Sequence, residues 1–168
     1  MQKPLLVAVD TNFPLLLAGG NDDALDALDI LRTRVHAAEI LVTPTVLDEL
    51  LYQSERDADP ARRKLAGAAL SKLRGPWDFH ARELNSTQEV IAARAAQLIL
   101  ERGLLPPEER NDAAIIAESA VLNTILLVSN DSHLINADHR FLGFIFRELE
   151  LPVPLIMSPR EIVRKFFR

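Results

Sequence analysis

The segment from residue 111 to 131, NDAAIIAESAVLNTILLVSND, constrains the fold more than any other part of the sequence. Its first half, residues 112–122, has apolar residues along one side and contains neither Pro nor Gly, so it predicts a packed helix. Its second half, residues 125–128, is a continuous apolar run rich in branched side chains, as expected of a strand buried on both faces. A helix that leads directly into such a strand predicts an α/β fold with a parallel sheet.

Carboxylates lie directly after the predicted strands and at the start of the predicted helix. Residues 5–9, LLVAV, predict another buried strand, and Asp10 follows it directly. Asp131 similarly follows the later strand, whereas Asp112 opens the helix before it. In a parallel sheet the strands end at one edge, which is also the edge where open α/β sheets bind ligands. These three carboxylates are therefore predicted to lie together.

A fourth carboxylate comes from residues 43–52, TPTVLDELLY. Thr43 as N-cap and Pro44 at the first helical position predict a helix that begins at the same edge. Asp48 and Glu49 would lie about one turn above this edge. The predicted buried side of the helix carries three leucines, Leu47, Leu50 and Leu51. Glu49 is nearer that side than Asp48, so it is predicted to point inward. We call Asp10, Glu49, Asp112 and Asp131 the acidic rim.

The remaining sequence predicts further helices and strands. Hydrophobic spacing predicts helices over residues 23–37, 61–73, 90–102 and 140–149, and strands over residues 39–43 and 153–157. The sequences STQE at 86–89 and SPRE at 158–161 are capping boxes that predict helix starts. No internal repeat or low-complexity tract interrupts the pattern, and a single domain over residues 1–168 is expected.

Composition and charge exclude several classes of function. The chain has 19 Lys and Arg residues against 24 Asp and Glu residues, and the net charge of −5 argues against a general nucleic-acid coat. The absence of Cys excludes disulfides, thiolate zinc sites and cysteine nucleophiles, and predicts a cytoplasmic protein. The first apolar run is cut at Asp10, too short for a signal peptide, and no membrane span is predicted.

Each acid of the rim has an ordinary structural explanation when it is taken singly. An Asp after a strand makes an Asx turn, and an Asp at a helix start caps the helix. Four carboxylates at one place, however, raise one another's pKa, an arrangement that usually persists when cations lie among them. Oxygen ligands without Cys or a clear His partner suit Mg²⁺ or Mn²⁺. Such an ion activates water for phosphoester hydrolysis.

Four motifs, VAVDTN, PTVLDELL, NDAAIIAES and LLVSND, together resemble the PIN-domain family, and their order is similar to that of the VapC-type toxin ribonucleases. The resemblance runs over nearly the whole chain. It implies a PIN-like three-layer α/β/α sandwich with a parallel sheet, and an acidic cluster that binds Mg²⁺ or Mn²⁺ and cleaves RNA. The four acids of the rim match the catalytic and metal-binding positions of the family.

The resemblance also implies neighbouring residues and partners. Thr11, Asn12 and Ser129 match the polar residues beside the acids, and Asn12 and Ser129 would orient the ligands or bound water. RNA as substrate, a cognate antitoxin and a homodimer are expected on the same ground. The stretch between Glu49 and Asp112 looks extended for the family, so contacts within it do not carry over.

Three other functions share part of this pattern. A haloacid-dehalogenase-like phosphatase needs a second Asp where Asn12 stands and a downstream Lys at the same edge. A receiver domain needs a Lys after the last strand and an acidic pair beside Asp10, and the sequence has neither. A non-catalytic PIN-like module that only binds RNA or protein has no reason to retain four mutually repelling acids. Activity that depends on metal would distinguish the nuclease from this third alternative.

Overall fold

Five parallel strands form one sheet in the computed structural model, which describes residues 4–166; residues 1–3 and 167–168 lie outside the described part. The strands are β1 (Leu6–Val9), β2 (Glu39–Val42), β3 (Phe79–Ala81), β4 (Leu126–Val128) and β5 (Leu155–Met157). Their order across the sheet is β3-β2-β1-β4-β5, and every neighbouring pair is parallel. The predicted α/β class with a parallel sheet is confirmed.

Within the described residues, nine helices flank the sheet, and together with it they form a three-layer α/β/α sandwich. They are α1 (Asn12–Ala18), α2 (Asp22–Thr33), α3 (Pro44–Arg56), α4 (Pro60–Lys72), α5 (Ser86–Glu101), α6 (Arg110–Val121), α7 (Ser132–Ile135), α8 (His139–Arg147) and α9 (Pro159–Phe166).

The two central strands are buried on both faces, because helices cover the sheet on each side. Val7, Ala8 and Val9 of β1 have no solvent exposure, and all of β4 is buried. In the pairing of the two strands Val9 lies opposite Val128, so β1 and β4 end at the same level. The residues that follow each strand are therefore neighbours at one edge of the sheet.

Helix α1 is the main element that the sequence pattern did not predict. Pro14 lies at its third position, where the backbone N–H has no partner within a helix, so the missing donor of proline costs little there. Phe13 anchors the helix in the core, with its ring 6.3 Å from that of Phe79. The helix makes Asn12 its first residue, directly after β1.

Two details predicted for helices α5 and α3 were wrong. The capping box of α5 uses Asn85 and Gln88 rather than Ser86 and Glu89, so this helix begins one residue earlier than its motif suggested. Leu51 of α3 is 43% exposed, and the buried side of α3 is formed by Val46 and Leu50 instead. Thr43 is the N-cap position of α3, as predicted, but its hydroxyl makes no capping hydrogen bond.

Candidate active site

Asp10 follows β1 and lies at the centre of the candidate site, with only 4% of its surface exposed. Its backbone N–H donates to the Val128 carbonyl at 2.8 Å, which holds the end of β1 against β4. Its Oδ1 accepts a 2.6 Å hydrogen bond from the Thr11 N–H. Its Oδ2 accepts from Asn12 Nδ2 at 2.9 Å and from Ser129 Oγ at 2.7 Å. Three hydrogen bonds therefore fix this carboxyl group.

The pKa of Asp10 is raised from its ordinary value to about 6. Burial is the main cause, since it disfavours the charged form. The hydrogen bonds from Ser129 and Thr11 lower the pKa, while the charges of Glu49 and Asp131 raise it further. Asp10 is thus held close to the three other acids of the rim at an energetic cost.

Glu49 of α3 points toward the end of β1, whereas its neighbour Asp48 is exposed. The Thr11 hydroxyl donates to Glu49 Oε2, and Asn111 Nδ2 donates to Glu49 Oε1 at 2.7 Å. The carboxylate is therefore held from two sides, by the residue after Asp10 and by the residue before Asp112. This geometry agrees with the sequence-based choice of Glu49 over Asp48 as the inward residue.

Asp112 lies in the first turn of α6, where a negative charge is favourable. One of its two carboxyl oxygens is nevertheless left without a hydrogen bond within residues 4–166. Its Oδ2 is buried and has no hydrogen-bond partner among the described residues. The pKa is raised to about 7, first by burial and then by the charges of Asp10, Asp131, Glu109 and Glu49. A buried acceptor without a donor is costly, so this oxygen marks a place for a cation or a donor.

Asp131 has a structural role as well as a place in the rim. Its Oδ1 accepts from the His133 N–H at 2.7 Å and caps α7. Its own N–H donates to Ser129 Oγ at 3.0 Å. Asx capping, the ordinary explanation for an Asp after a strand, therefore holds for Asp131.

Asn12 also links the two strand ends. Its Oδ1 accepts from the Asn130 N–H at 2.9 Å, so one amide side chain joins the end of β1 to the end of β4.

His133 lies near the acidic rim but is not one of its four residues. His133 Nε2 lies 3.6 Å from Oε1 of Glu109, the N-cap residue of α6. Glu109 in turn raises the pKa of Asp112. His133 is therefore linked to Asp112 only indirectly, through Glu109.

A cavity of about 470 Å³ borders the rim on the side of α3. Its lining residues are Thr45, Asp48, Glu49, Tyr52, Gln53, Asp57 and Asn111. Glu49 belongs to both the cavity lining and the rim, and Asn111, which donates to Glu49, also lines the cavity, so the cavity and the rim are continuous. Tyr52 is 60% exposed, and the lining contains no cationic side chain.

The residues present fit a divalent ion that keeps several waters. As the side chains stand, no three His, Cys, Asp or Glu residues in the described part of the chain form a ready metal-binding group. Mg²⁺ commonly binds through only one or two carboxylates and retains water ligands. The unpartnered Asp112 oxygen and the mutual repulsion of the rim carboxylates meet that requirement.

A comparison with protein-family models decides the family. The model of the PIN domain matches residues 7–140, which is more than half of the chain and includes the whole acidic rim. The chain belongs to the PIN-domain family. Members of this family are nucleases and generally use divalent metal ions, and the α/β/α sandwich with its parallel sheet is the PIN fold.

Among solved structures, this PIN domain is similar to a chain of the VapBC2 complex of Rickettsia felis, crystallised with a DNA fragment from the promoter of its genes. The TM-score is 0.62, the alignment covers 92% of this chain and 98% of that chain, and the identity is 15%. At this identity the likeness concerns the fold. No curated protein has a significantly similar sequence. Within residues 4–166, no helix of this PIN domain is long and apolar enough to cross a membrane.

Sequence reasoning missed two residues that build the site. Asn111 directly precedes Asp112 in its motif. Its hydrogen bond, however, joins α6 to Glu49 on α3, 62 residues away, and no local sequence pattern predicts a contact between segments so far apart. Tyr52 was part of a recognised helix, but its exposure beside the rim depends on where α3 leaves the sheet. The signal that was available for Asn111 was its position next to Asp112 in the motif.

Proposed function

We propose that this PIN domain is a metal-dependent endoribonuclease whose acidic rim hydrolyses RNA phosphodiester bonds. The observation that carries the proposal is the close approach of Asp10, Glu49, Asp112 and Asp131, with one buried Asp112 oxygen that has no donor among residues 4–166. A fold gains nothing from such repulsion unless a cation offsets it. Membership in a nuclease family supports the same conclusion.

The rim carboxylates would hold Mg²⁺ or Mn²⁺. When bound, the ion would lower the pKa of a coordinated water and offset negative charge on the leaving oxygen. Asp112 and Asp131 each have one oxygen that accepts no hydrogen bond from the described residues, and these oxygens are the candidate ligand atoms. In the hydrolysis, the water oxygen would bond to phosphorus while the bond from phosphorus to the leaving oxygen breaks, and the leaving oxygen would take up the proton that the water loses.

The chain's other polar residues would keep the ligands in place. Ser129 and Asn12 donate to Asp10, and Thr11 and Asn111 donate to Glu49. Donors that fix a carboxylate in one orientation preorganise it for binding a metal, because the ordering cost is met during folding. Asp10 and Glu49 would therefore be presented in one geometry before the metal arrives.

The proposal includes partners. A solved structure similar to this chain belongs to a VapBC2 complex, so we propose that this protein is the toxin of a toxin–antitoxin pair and that a cognate antitoxin peptide inhibits it. A homodimer remains part of the proposal on the ground of family resemblance, and a cytoplasmic location on the ground that the sequence contains no Cys.

The test is cleavage of a mixed RNA pool by purified protein with Mn²⁺ or Mg²⁺, with and without EDTA. Glu49→Gln and Asp10→Asn variants are compared with Asp26→Asn, which carries the same type of change at an exposed acid of α2. We expect metal-dependent cleavage by the wild type and Asp26→Asn, and loss of at least 100-fold in the two rim variants. Cleavage that survives EDTA or both rim substitutions would contradict the proposal.

A further inference from the structure

Glu118 is a buried acid that the rim does not include. It lies on α6, six residues after Asp112, and only 8% of its surface is exposed. Among the described residues no Lys, Arg or His makes an ion pair with it. Buried carboxylates are normally paired or strongly hydrogen-bonded, so the partners of Glu118 indicate why it is present.

Both oxygens of Glu118 contact one residue on another helix. Oε2 accepts from the Thr45 N–H at 3.1 Å, and Oε1 accepts from the Thr45 hydroxyl at 2.7 Å. Thr45 is the second residue of α3, where a backbone N–H has no partner inside the helix. Glu118 therefore caps α3 from a position 73 residues away in sequence.

Helix α3 has no cap of its own. The Thr43 hydroxyl, at the N-cap position, is buried and has no hydrogen-bond partner in the described part of the chain, and the first turn contains no acidic residue. The carboxylate of Glu118 supplies both the missing acceptor and the negative charge that a helix N-terminus favours. The start of α3 thus depends on α6 for its fixed position.

Among the described residues, this contact is one of two polar links between α3, which carries Glu49, and α6, which carries Asp112. Thr45 and Glu49 are four residues apart on α3, so they lie on the same face, about 6 Å apart along the axis. Asn111 and Glu118 are seven residues apart on α6 and also share a face. Thr45 bonds to Glu118 and Glu49 bonds to Asn111, so the two links fix both the height and the rotation of α3 against α6.

We propose that Glu118 is a positioning residue that sets the place of the Glu49 carboxylate in the acidic rim by clamping Thr45. This inference rests on the proposed nuclease function of the rim. Glu118 itself does not reach the reacting atoms in this account. Its effect passes through Thr45 and one turn of α3 to Glu49.

The test compares Glu118→Ala and Glu118→Gln with a matched control, Thr124→Val. Thr124 is also buried, and its hydroxyl donates to the Ser119 carbonyl at 3.0 Å, at the end of α6 away from Asp112. The control therefore removes a buried hydrogen bond from the same helix without touching α3. The measurements are thermal unfolding, Mn²⁺ affinity by calorimetry, and kcat and KM for RNA cleavage below the unfolding range of every variant.

Glu118→Ala is expected to lower kcat about tenfold and to weaken Mn²⁺ binding by a similar factor, with KM nearly unchanged. Glu118→Gln retains one acceptor oxygen, so its loss should be smaller. Thr124→Val should lower the unfolding temperature but leave kcat and Mn²⁺ affinity at wild-type values.

Two other results would overturn the inference, and they are distinguishable. If Glu118→Ala lowers only the unfolding temperature, as Thr124→Val does, Glu118 is a structural cap and the nuclease proposal stands. If the wild type neither cleaves RNA nor binds Mn²⁺, the proposed function fails and the positioning role fails with it.

Discussion

The Ser129 hydroxyl donates a 2.7 Å hydrogen bond to Oδ2 of Asp10, across 119 residues of sequence. The same oxygen atom of Ser129 accepts from the Asp131 N–H at 3.0 Å. One hydroxyl therefore links the acid after β1 with the acid after β4. Its bond opposes the effect of burial, because it lowers the pKa of Asp10.

Replacing Ser129 with Ala is expected to shift the pH dependence of activity. Loss of the hydroxyl removes a stabiliser of the charged form, so the pKa of Asp10 should rise above its present value of about 6. Metal binding needs the ionised carboxylate, and the acidic limb of the kcat/KM profile should therefore move to higher pH by about one unit. An unchanged profile, measured over pH 5–9 with Mn²⁺ at a fixed concentration, would refute this role.

Asp112→Asn should make the metal-free protein more stable at alkaline pH. The folded-state pKa of Asp112, about 7, lies above its ordinary value of 3.8, so the folded form binds the proton more tightly than the unfolded form does. The contribution is fully present below pH 3.8 and is lost as pH rises through about 7. At pH 8 the variant should gain on the order of 1 kcal/mol in free energy of unfolding.

Denaturant unfolding at pH 5 and pH 8 in EDTA measures this effect, with Asp26→Asn as the control at an exposed site. The wild type should lose stability between the two pH values by more than Asp112→Asn does. Added Mn²⁺ should stabilise the wild type at pH 8 but not the variant. Equal pH dependence in wild type and variant would show that Asp112 carries no ionisation cost.

Glu49→Gln and Asp48→Asn test the orientation of α3 with two adjacent acids. Glu49 accepts hydrogen bonds from Thr11 and Asn111, whereas Asp48 is exposed and lines only the neighbouring cavity. We expect kcat to fall at least 100-fold in Glu49→Gln and to change less than threefold in Asp48→Asn. The reverse pattern, in single-turnover cleavage assays, would mean that α3 presents its other side to the substrate.

Tyr52 is expected to contact RNA in the cavity beside the rim. Its exposed ring offers a stacking surface for an unpaired base, a contact that contributes roughly 1–3 kcal/mol per base. Tyr52→Ala should therefore raise KM for a single-stranded oligonucleotide about tenfold, while Tyr52→Phe, which retains the ring, should stay near the wild type. If the two variants behave alike, stacking is not the interaction.

Much of the fold follows from local patterns in the sequence. The run before Asp131 is a strand because its branched apolar side chains are buried on both faces, and the adjoining run without Pro or Gly is a helix. The capping box at the last helix is also as predicted, since Ser158 and Glu161 exchange hydrogen bonds. Each of these signals acts over a few residues and needs no knowledge of the rest of the chain.

The rest of the site depends on contacts between distant segments. Three of the rim acids could be placed at one edge because strand direction fixes where strands end. The bond of Asn111 to Glu49 and the cap that Glu118 gives to Thr45 depend on how α3 crosses α6, and α3 has no sequence feature that sets this crossing. The catalytic and metal-binding roles of the rim residues remain predictions.

The measurement that tests the central claim most directly is a calorimetric titration of metal-stripped protein with Mn²⁺ at pH 6.5, in two buffers of different ionisation enthalpy. Asp10 and Asp112 have pKa values of about 6 and 7, so binding should be saturable and should release protons. Asp10→Asn and Asp112→Asn should each weaken binding at least tenfold, and Asp26→Asn should not. Absence of saturable binding in the wild type, or equal affinity in all four proteins, would contradict a metal site at the acidic rim.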